Sequence, residues 1–387
     1  MRLRHKPVKI ACFTSGMSLV GRRVWNGVVA FARDRRDVIV QQWSLARLAD
    51  PGFMAASGCD GVVMIDGRAG DFARLPQGLP AVTTSAYLKS AGIPRVCDDQ
   101  RWLGELAAGY FTRRGFQTVA YCGYPFHHGS QLRGAGFAEA AGAARARVLV
   151  YEVKGSPEED VAFNSAREQR RLRAWLRRLP KPCALLAFSD TLAGLVMQLA
   201  LDEGLRLPEH VALLGIDNDM LLQRALPLGL SSIEIGSEKT GKKAAEVVLN
   251  WIRDGTAPAA ETLVRHARLV PRQTTDRHYT EDDFIAQALD FIHEHKTSAP
   301  TVTEIAAHMG CTRRTVERRF RAALGNSAHQ VMQELRLERT QAYLLESQAP
   351  LKAVALACGF SNDRHLCTAF RQRFGMTPGG FRLSGAG

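Results

Sequence analysis

Five arginines and one glutamate are packed into the nine residues from Arg313 to Arg321, RRTVERRFR. A guanidinium is permanently charged and presents a fork of donors that fits phosphate oxygens or the O6 and N7 edge of guanine. Val316 and Phe320 are four apart and share one face of a helix, leaving Arg313, Arg314 and Arg318 for the polar side. A second cluster follows at Asn362, Asp363, Arg364 and His365, with Leu366 and Phe370 again four apart behind it. Asparagine pairs with N6 and N7 of adenine, so both clusters carry groups suited to base edges in the major groove.

The segments that must position these clusters share a plan. VTEIAAHMG and LKAVALACG are apolar helical stretches that end on Gly310 and Gly359, where the chain must turn, with Thr312 and Ser361 as expected N-caps of the polar helices that follow. An apolar helix, a tight glycine turn and a steeply angled second helix make a DNA-binding helix-turn-helix, here expected over about 301–324 and 350–374. One such segment alone would equally fit the solvated face of a helical bundle. Two in tandem favour DNA.

A different chemistry is spread over the first two-thirds. Short apolar, β-branched runs, VKIACF, GVVMI, TVAYCG, CALLAF and VALLGI among them, alternate with amphipathic stretches such as Val20 to Arg33 and Thr191 to Glu203. That alternation predicts a doubly wound α/β fold with buried parallel strands, and there is enough chain for two sheets. Open sheets of this kind bind ligands beyond the carboxyl ends of their strands. Those ends carry Ser15, Ser189 with Asp190, and Asp217; Arg133 opens the helix after TVAYCG, and Arg22 is counted with them. Carboxylate, guanidinium and hydroxyl groups around one cleft suit a hydroxyl-rich ligand. For Ser189 and Asp190, which precede a helical stretch, capping competes evenly with ligand contact. Trp43 or Phe126 offers the flat wall that a sugar ring favours.

Composition agrees with this division. At 387 residues the chain exceeds a single ordinary core, and its +13 net charge favours a polyanionic partner. The excess does not locate that partner, since residues from 281 onward hold 13 basic groups against 11 acidic ones. No run approaches the roughly 20 apolar residues of a membrane span, and the opening segment is too short for an export signal, so a cytoplasmic protein is expected. The eight cysteines are scattered, without paired spacing, so neither a disulfide framework nor a metal site is expected, nor any cofactor.

Residues 284 to 383 resemble the DNA-binding domain of the AraC family. The resemblance rests on EIAAHMGCTRRTVERRFRAALG, on the bridging HQVMQELRLERTQAYLLES and on VALACGFSNDRHLCTAFRQRFGMTPGGFR, with Leu366 standing where an aromatic is common and Phe381 where tyrosine is usual. It implies that two recognition helices enter successive stretches of the major groove. Residues 8 to 275 resemble the effector domain of the LacI family and the related periplasmic sugar-binding proteins, through KIACFTSGMSLVGRRVWNGVVAFAR, GCDGVVMI and CALLAFSDTLAGLVMQLALDEGLRLPEHVALLGIDND. That likeness implies effector contacts from Asp217, from Ser189 or Asp190, and from Arg133.

A LacI-like sensor followed by an AraC-like module is similar to the arrangement of xylose-operon regulators. It implies an operator-binding homodimer controlled by a monosaccharide, D-xylose first, with RNA polymerase as a further partner if it activates and no membrane partner. The expected division is 1–276 for the sensor, with lobes of about 8–110 plus 236–258 and 115–232 plus 262–275, then 281–387 for DNA, joined by TTDRHYT. The competing reading is a sensor that takes a non-sugar ligand or has a cysteine-hydrolase fold; Cys97 and Cys122 are its candidate nucleophiles, though neither stands in a nucleophile-elbow sequence.

Overall fold

The apolar runs become two six-stranded sheets in the computed structural model, which describes all residues except 1–5, 17, 51, 68, 88, 90–91, 155–164, 277–281, 296–299 and 385–387. The first lobe is built from β1 (Val8–Thr14), α1 (Leu19–Arg33), β2 (Val38–Ser44), α2 (Phe53–Ser57), β3 (Gly61–Met64), α3 (Ala69–Phe72), β4 (Ala81–Thr83) and β5 (Arg95–Asp98). The second follows with α4 (Gln100–Arg113), β6 (Thr118–Gly123), α5 (His128–Ala143), β7 (Arg147–Glu152), α6 (Ala166–Arg178), β8 (Cys183–Ala187), α7 (Asp190–Asp202), β9 (Val211–Ile216), α8 (Met220–Ala225) and β10 (Ser231–Ile235). The chain returns to the first lobe for α9 (Ser237–Asp254) and β11 (Glu261–Val264), then crosses once more to β12 (Ala267–Val270).

Strand order is β2-β1-β3-β4-β5-β11 in one sheet and β7-β6-β8-β9-β10-β12 in the other, the same winding used twice. The expected doubly wound parallel architecture is therefore present, with one antiparallel exception, β12 against β10. Residues 262–264, assigned to the second lobe by the sequence pattern, lie in the first sheet because β11 pairs with β5 from Glu261↔Arg95 to Val264↔Asp98. The strands are apolar along their length because helices cover both faces: Ile10, Ala11, Cys12 and Phe13 of β1 are fully buried. Helices α1 and α9 cross so closely that a Cβ on Gly27 would fall 1.9 Å from the Glu238 carbonyl oxygen, and one on Gly241 1.9 Å from that of Val24. Only glycine fits at that crossing.

Three chain crossings join the lobes, and side chains brace them. Thr240 at the start of α9 donates to Asp98 at 3.0 Å, and Arg265, between β11 and β12, donates to Asp99 at 2.8 Å. Asp99 also caps α4 by accepting from the Trp102 N–H. The hinge between the lobes is thus tied by carboxylates of β5 and the residue after it.

The remaining chain is helical: α10 (Asp283–Glu294), α11 (Val302–His308), α12 (Arg313–Leu324), α13 (Ala328–Glu346), α14 (Leu351–Ala357), α15 (Asp363–Phe374) and α16 (Pro378–Ser384). It holds two small cores, one around Ile285, Ile305, Val316, Phe320 and Leu335, the other around Leu337, Val354, Leu366, Phe370 and Phe381. Helix α13 contributes to both. Gly310 and Gly359 adopt φ of 62° and 79° at the turns, a left-handed conformation that disfavours any side chain. Residues 277–281, most of the expected linker, lie outside the described residues, while Thr274 and Thr275 are fully buried in the sensor.

Candidate effector cleft and nucleic-acid interface

The two helix-turn-helix units present matching frames. Val316 and Phe320 of α12 are fully buried, as are Leu366 and Phe370 of α15, and both helices end on a glycine, Gly325 and Gly375, with φ of 72°. Burying those faces against α11 and α14 leaves the opposite faces free. Arg313, Arg314 and Arg318 are exposed on α12, and Asp363, Arg364 and His365 on α15. The first cap is as expected, with Thr312 accepting from Thr315 N–H. The second is shifted by one residue: Asn362, not Ser361, caps α15, its side-chain oxygen accepting from His365 N–H at 2.8 Å. Its extended backbone brings the amide group over the first turn, whereas Ser361 stands one residue too early.

That oxygen is therefore occupied within the helix, while the amide nitrogen of Asn362 donates to Ser361 Oγ at 3.5 Å and keeps a second N–H for contact outside it. Two exposed positions escape the sequence pattern, Thr368 and Arg371. Thr368 lies one turn beyond Arg364 and donates to its carbonyl oxygen at 3.0 Å, so the two share a face. The helical repeat after Arg364 was the available signal.

In the sensor the sheets' carboxyl ends meet between the lobes. Asp217 follows β9 with φ of 112°, half-buried, and among the described residues its carboxyl has no hydrogen-bond partner. Burial, then repulsion from Asp190, push its pKa up to about 8 against the pull of Arg133 and Arg23. Arg133 is 3 % exposed and lies 4.4 Å from the centre of the Phe188 ring. Two of its nitrogens donate to Phe188 O and Gln100 Oε1, while its Nε–H is buried without a partner. A carboxyl with no partner and a guanidinium with one spare donor, each sensing the other's charge, form a complementary pair for an oxygen-rich guest.

The other predicted sensor residues fall into different roles. Ser189 caps α7 by accepting from Leu192 N–H. Asp190, 1 % exposed, accepts from Ser232 Oγ at 2.6 Å and from Asp219 N–H at 2.8 Å, so its carboxylate braces the loop that carries Asp217. Burial raises its pKa to about 6 against those hydrogen bonds. Ser15 is exposed, its hydroxyl 3.3 Å from Asp66. Arg22 lies on the wall of a separate cavity between the sensor and the helical domain. Its neighbour Arg23 borders the same cavity and also spans the lobes, donating to the carbonyl oxygens of Asp217 and Asn218.

Sequence reasoning missed Arg23, Asp66 and Asp98. Asp66 follows β3 and accepts from Thr14 at 2.7 Å, so the strand-end rule applied to GVVMI would have found it. Asp98, raised to about 6 by burial, stands at the hinge within the field of Arg133. Of the aromatic candidates, Phe126 lies 5.5 Å from Tyr124. Trp43 packs on Phe53, 5.1 Å away, and His127 closes on Phe188 at 4.7 Å and Tyr87 at 5.0 Å. Burial and then Arg133 hold the His127 pKa down at about 4, so its ring is neutral at pH 7.

The two thiols proposed for hydrolase chemistry lie in strands, and burial raises both pKa values, that of Cys97 to about 12. A buried protonated thiol is a poor nucleophile. Among the described residues no helix is long and apolar enough to cross a membrane, and no cluster of three or more His, Cys, Asp or Glu could hold a metal ion.

Comparison with known proteins adds to this geometry. A periplasmic binding protein-like domain matches residues 108–275, and a helix-turn-helix domain matches 305–384. The xylose operon regulatory protein of Haemophilus influenzae is 25 % identical over 313 residues, covering 79 % of this chain and 80 % of that protein. Its counterpart in Escherichia coli K12 is 24 % identical over 291 residues, 74 % and 73 % of the two chains. A solved structure of a xylose-binding transcription activator superposes with a TM-score of 0.63 at 21 % identity, covering 99 % of each chain. A LacI family regulator from Mycobacterium smegmatis covers 69 % of this chain and 98 % of its own at a TM-score of 0.56 and 22 % identity. The chain is thus a DNA-binding transcription regulator in which a periplasmic-binding-protein-like sensor precedes an AraC-type helix-turn-helix domain, the build of the xylose operon regulators it resembles.

Proposed function

We propose that the cleft takes a monosaccharide, D-xylose first among them, and that its occupation controls operator binding by α12 and α15. The observation that carries this reading is the carboxyl of Asp217, half-buried and without a hydrogen-bond partner among the described residues, in the field of Arg133 with its spare Nε–H. A site built from such groups binds a ligand whose hydroxyls complete it and rejects one lacking them, because a buried polar group left unpaired costs about 1–3 kcal/mol. The names of the relatives point to the same ligand, since the H. influenzae and E. coli proteins are xylose operon regulators. In this reading Phe188 and His127 form the flat wall, and Arg23 holds the first lobe against the Asp217 loop. The sensor works by binding, without turnover, in a cytoplasmic homodimer that engages RNA polymerase where it activates.

Ligand control requires that the sugar prefer one arrangement of the lobes, and it can shift operator affinity by no more than that preference. On the DNA side, Arg313, Arg314, Arg318, Arg364 and His365 are the residues placed to meet the groove. A thermal-shift screen of the full chain against pentoses and hexoses tests the sensor half, because a ligand that binds only the folded state raises the melting temperature with saturation. D-Xylose is expected to give a saturable rise. A panel without any saturable rise would overturn the sugar reading.

A further inference from the structure

Helix α13, which serves both helix-turn-helix cores, is also fastened to the sensor. Glu338 on it pairs with Arg114, the C-cap residue of α4 in the second lobe, and the two side chains are only 16 % and 4 % exposed. The Arg114 guanidinium lies 4.3 Å from the centre of the Tyr110 ring. The Tyr110 hydroxyl is 2.6 Å from Thr275 Oγ1, which donates to Ser231 Oγ at 2.7 Å. Ser231 Oγ donates in turn to the carbonyl oxygen of Arg272, whose guanidinium reaches Asn218 Oδ1 at 2.8 Å. Asn218 is the neighbour of Asp217. An unbroken polar thread therefore runs from the loop that carries Asp217 to the helix that carries both DNA-reading units.

A second clasp lies beside it. Arg268 of β12, paired with Glu234 of β10, sits 4.4 Å from the centre of the Phe381 ring of α16. Both clasps belong to the second lobe. Between the clasps and the first lobe lies a cavity of about 1030 Å³: Tyr110, Arg114, Arg268 and Glu338 of the clasps border it on one side, and beyond them Trp25 of α1 and Lys239 of α9 form one wall and Phe374 and Met376 the other. A buried ion pair resists separation, because breaking it leaves one charge uncompensated. An open cavity offers no such resistance.

We propose that the second lobe is the docking surface for the DNA-binding domain, which it carries as one body through Arg114–Glu338 and Arg268–Phe381, and that lobe closure is taken up by the cavity on the first-lobe side. Tyr110, Arg114 and Glu338 are then positioning residues: they touch neither DNA nor effector, and they set where α12 and α15 stand as the lobes move. The fastening stands on geometry alone, while its response to ligand rests on the sugar reading above.

Hydrogen exchange on the full-length chain separates the two, with Glu338→Gln as the breaking variant and Glu338→Asp as the charge-conserving one. Without ligand, Glu338→Gln is expected to raise exchange at least tenfold, together, in α13 and in the last turn of α4, with Glu338→Asp close to wild type. Exchange in both segments unchanged by Glu338→Gln would overturn the docking surface. If Glu338→Gln does not fold, Phe381→Leu, which keeps an apolar core residue and removes the ring under Arg268, serves the same comparison in α16 and β12. With saturating D-xylose, wild type is expected to change exchange on both cavity walls, in 19–26 and 374–376, while α13 and the α4 turn stay fixed. A melting-temperature rise with D-xylose and no change at either wall would overturn the role of the cavity. If D-xylose moves neither the melting temperature nor any amide, the sugar reading fails, and the Glu338 arm still decides the docking surface.

Discussion

The effector cleft and the DNA face are both charged, and they operate under opposite conditions. In the cleft, Arg133, Asp190 and Asp98 are almost wholly buried and Asp217 is half-buried, so each charge acts on the others through a poorly screening medium. On α12 and α15, Arg313, Arg314, Arg318 and Arg364 stand in water, where salt weakens their reach within about 10 Å. The first arrangement discriminates, because a guest that fails to complete a buried network is rejected. The second attracts any polyanion and leaves discrimination to the few groups that reach base edges. Such a regulator can be tuned for ligand and for operator separately, since the two clusters answer to different physics.

The comparison breaks most easily at the cleft. Asp217→Ala removes the carboxyl in the field of buried Arg133 and is expected to weaken effector binding by about 1–3 kcal/mol, the cost of leaving the ligand's polar group unpaired. The D-xylose thermal shift should vanish while salt-sensitive affinity for duplex DNA is retained. A variant that keeps the shift would remove Asp217 from the site. On the exposed face, Arg313→Ala and Arg364→Ala are each expected to cost ~1–3 kcal/mol in DNA binding. A base-reading arginine relaxes preference at one position of the operator, whereas a phosphate contact lowers affinity for all sequences and reduces the salt slope by about one. If neither substitution alters binding at any salt concentration, α12 and α15 are not the reading helices.

A pH titration sharpens the same contrast. The Asp217 pKa is raised to about 8 in the folded chain, so its neutral form prevails at pH 7 and its ionisation opposes folding as pH climbs from the usual carboxylate range through about 8. A sugar hydroxyl that donates to the carboxylate favours the ionised form. Effector affinity should then rise with pH by up to ~1.4 kcal/mol per unit below about 8 and level off above it. Calorimetric titration of D-xylose between pH 6 and 9 reads this directly. Affinity that instead falls above pH 8 would mean that Asp217 serves the ligand as a neutral donor. DNA binding should lack this inflection, because Asp217 takes no part in it.

The two sites were legible in the sequence to different degrees, and for a physical reason. The DNA face is local: a helix, a glycine at positive φ and a second helix fit within 25 residues, so spacing alone places Arg313 and Arg364 outward and Phe320 and Phe370 inward. The alternating strands were equally local, which is why the two parallel sheets could be read. The cleft is assembled from Thr14 to Arg272, and which polar groups remain available is decided by partners far away in the chain. Asp190 looked like Asp217 in sequence, yet it is taken by Ser232, 42 residues on. Arg23 reaches the carbonyl oxygens of Asp217 and Asn218, 194 and 195 residues on, a contact that nothing in its local sequence announces. β11 and β12 are separated by two residues and belong to different sheets, a division set by pairing with β5 and β10 that no periodicity announces.

Asn362 provides the finest division between the two kinds of site, because it belongs partly to each. Its oxygen satisfies the His365 N–H at the start of α15, and its N–H group stands on the exposed side where adenine would have to be read. Asn362→Ser keeps a side-chain acceptor for the cap, so chemical denaturation should shift by no more than about 0.5 kcal/mol. The substitution removes the amide that can pair with a base. If Asn362 reads DNA, preference should relax at one operator position with the salt slope unchanged, because no phosphate contact is lost. If it serves only as a cap, the serine variant should match wild type on every duplex. A loss of stability well beyond the expected margin would show that the amide holds the helix start by more than its hydrogen bond to His365.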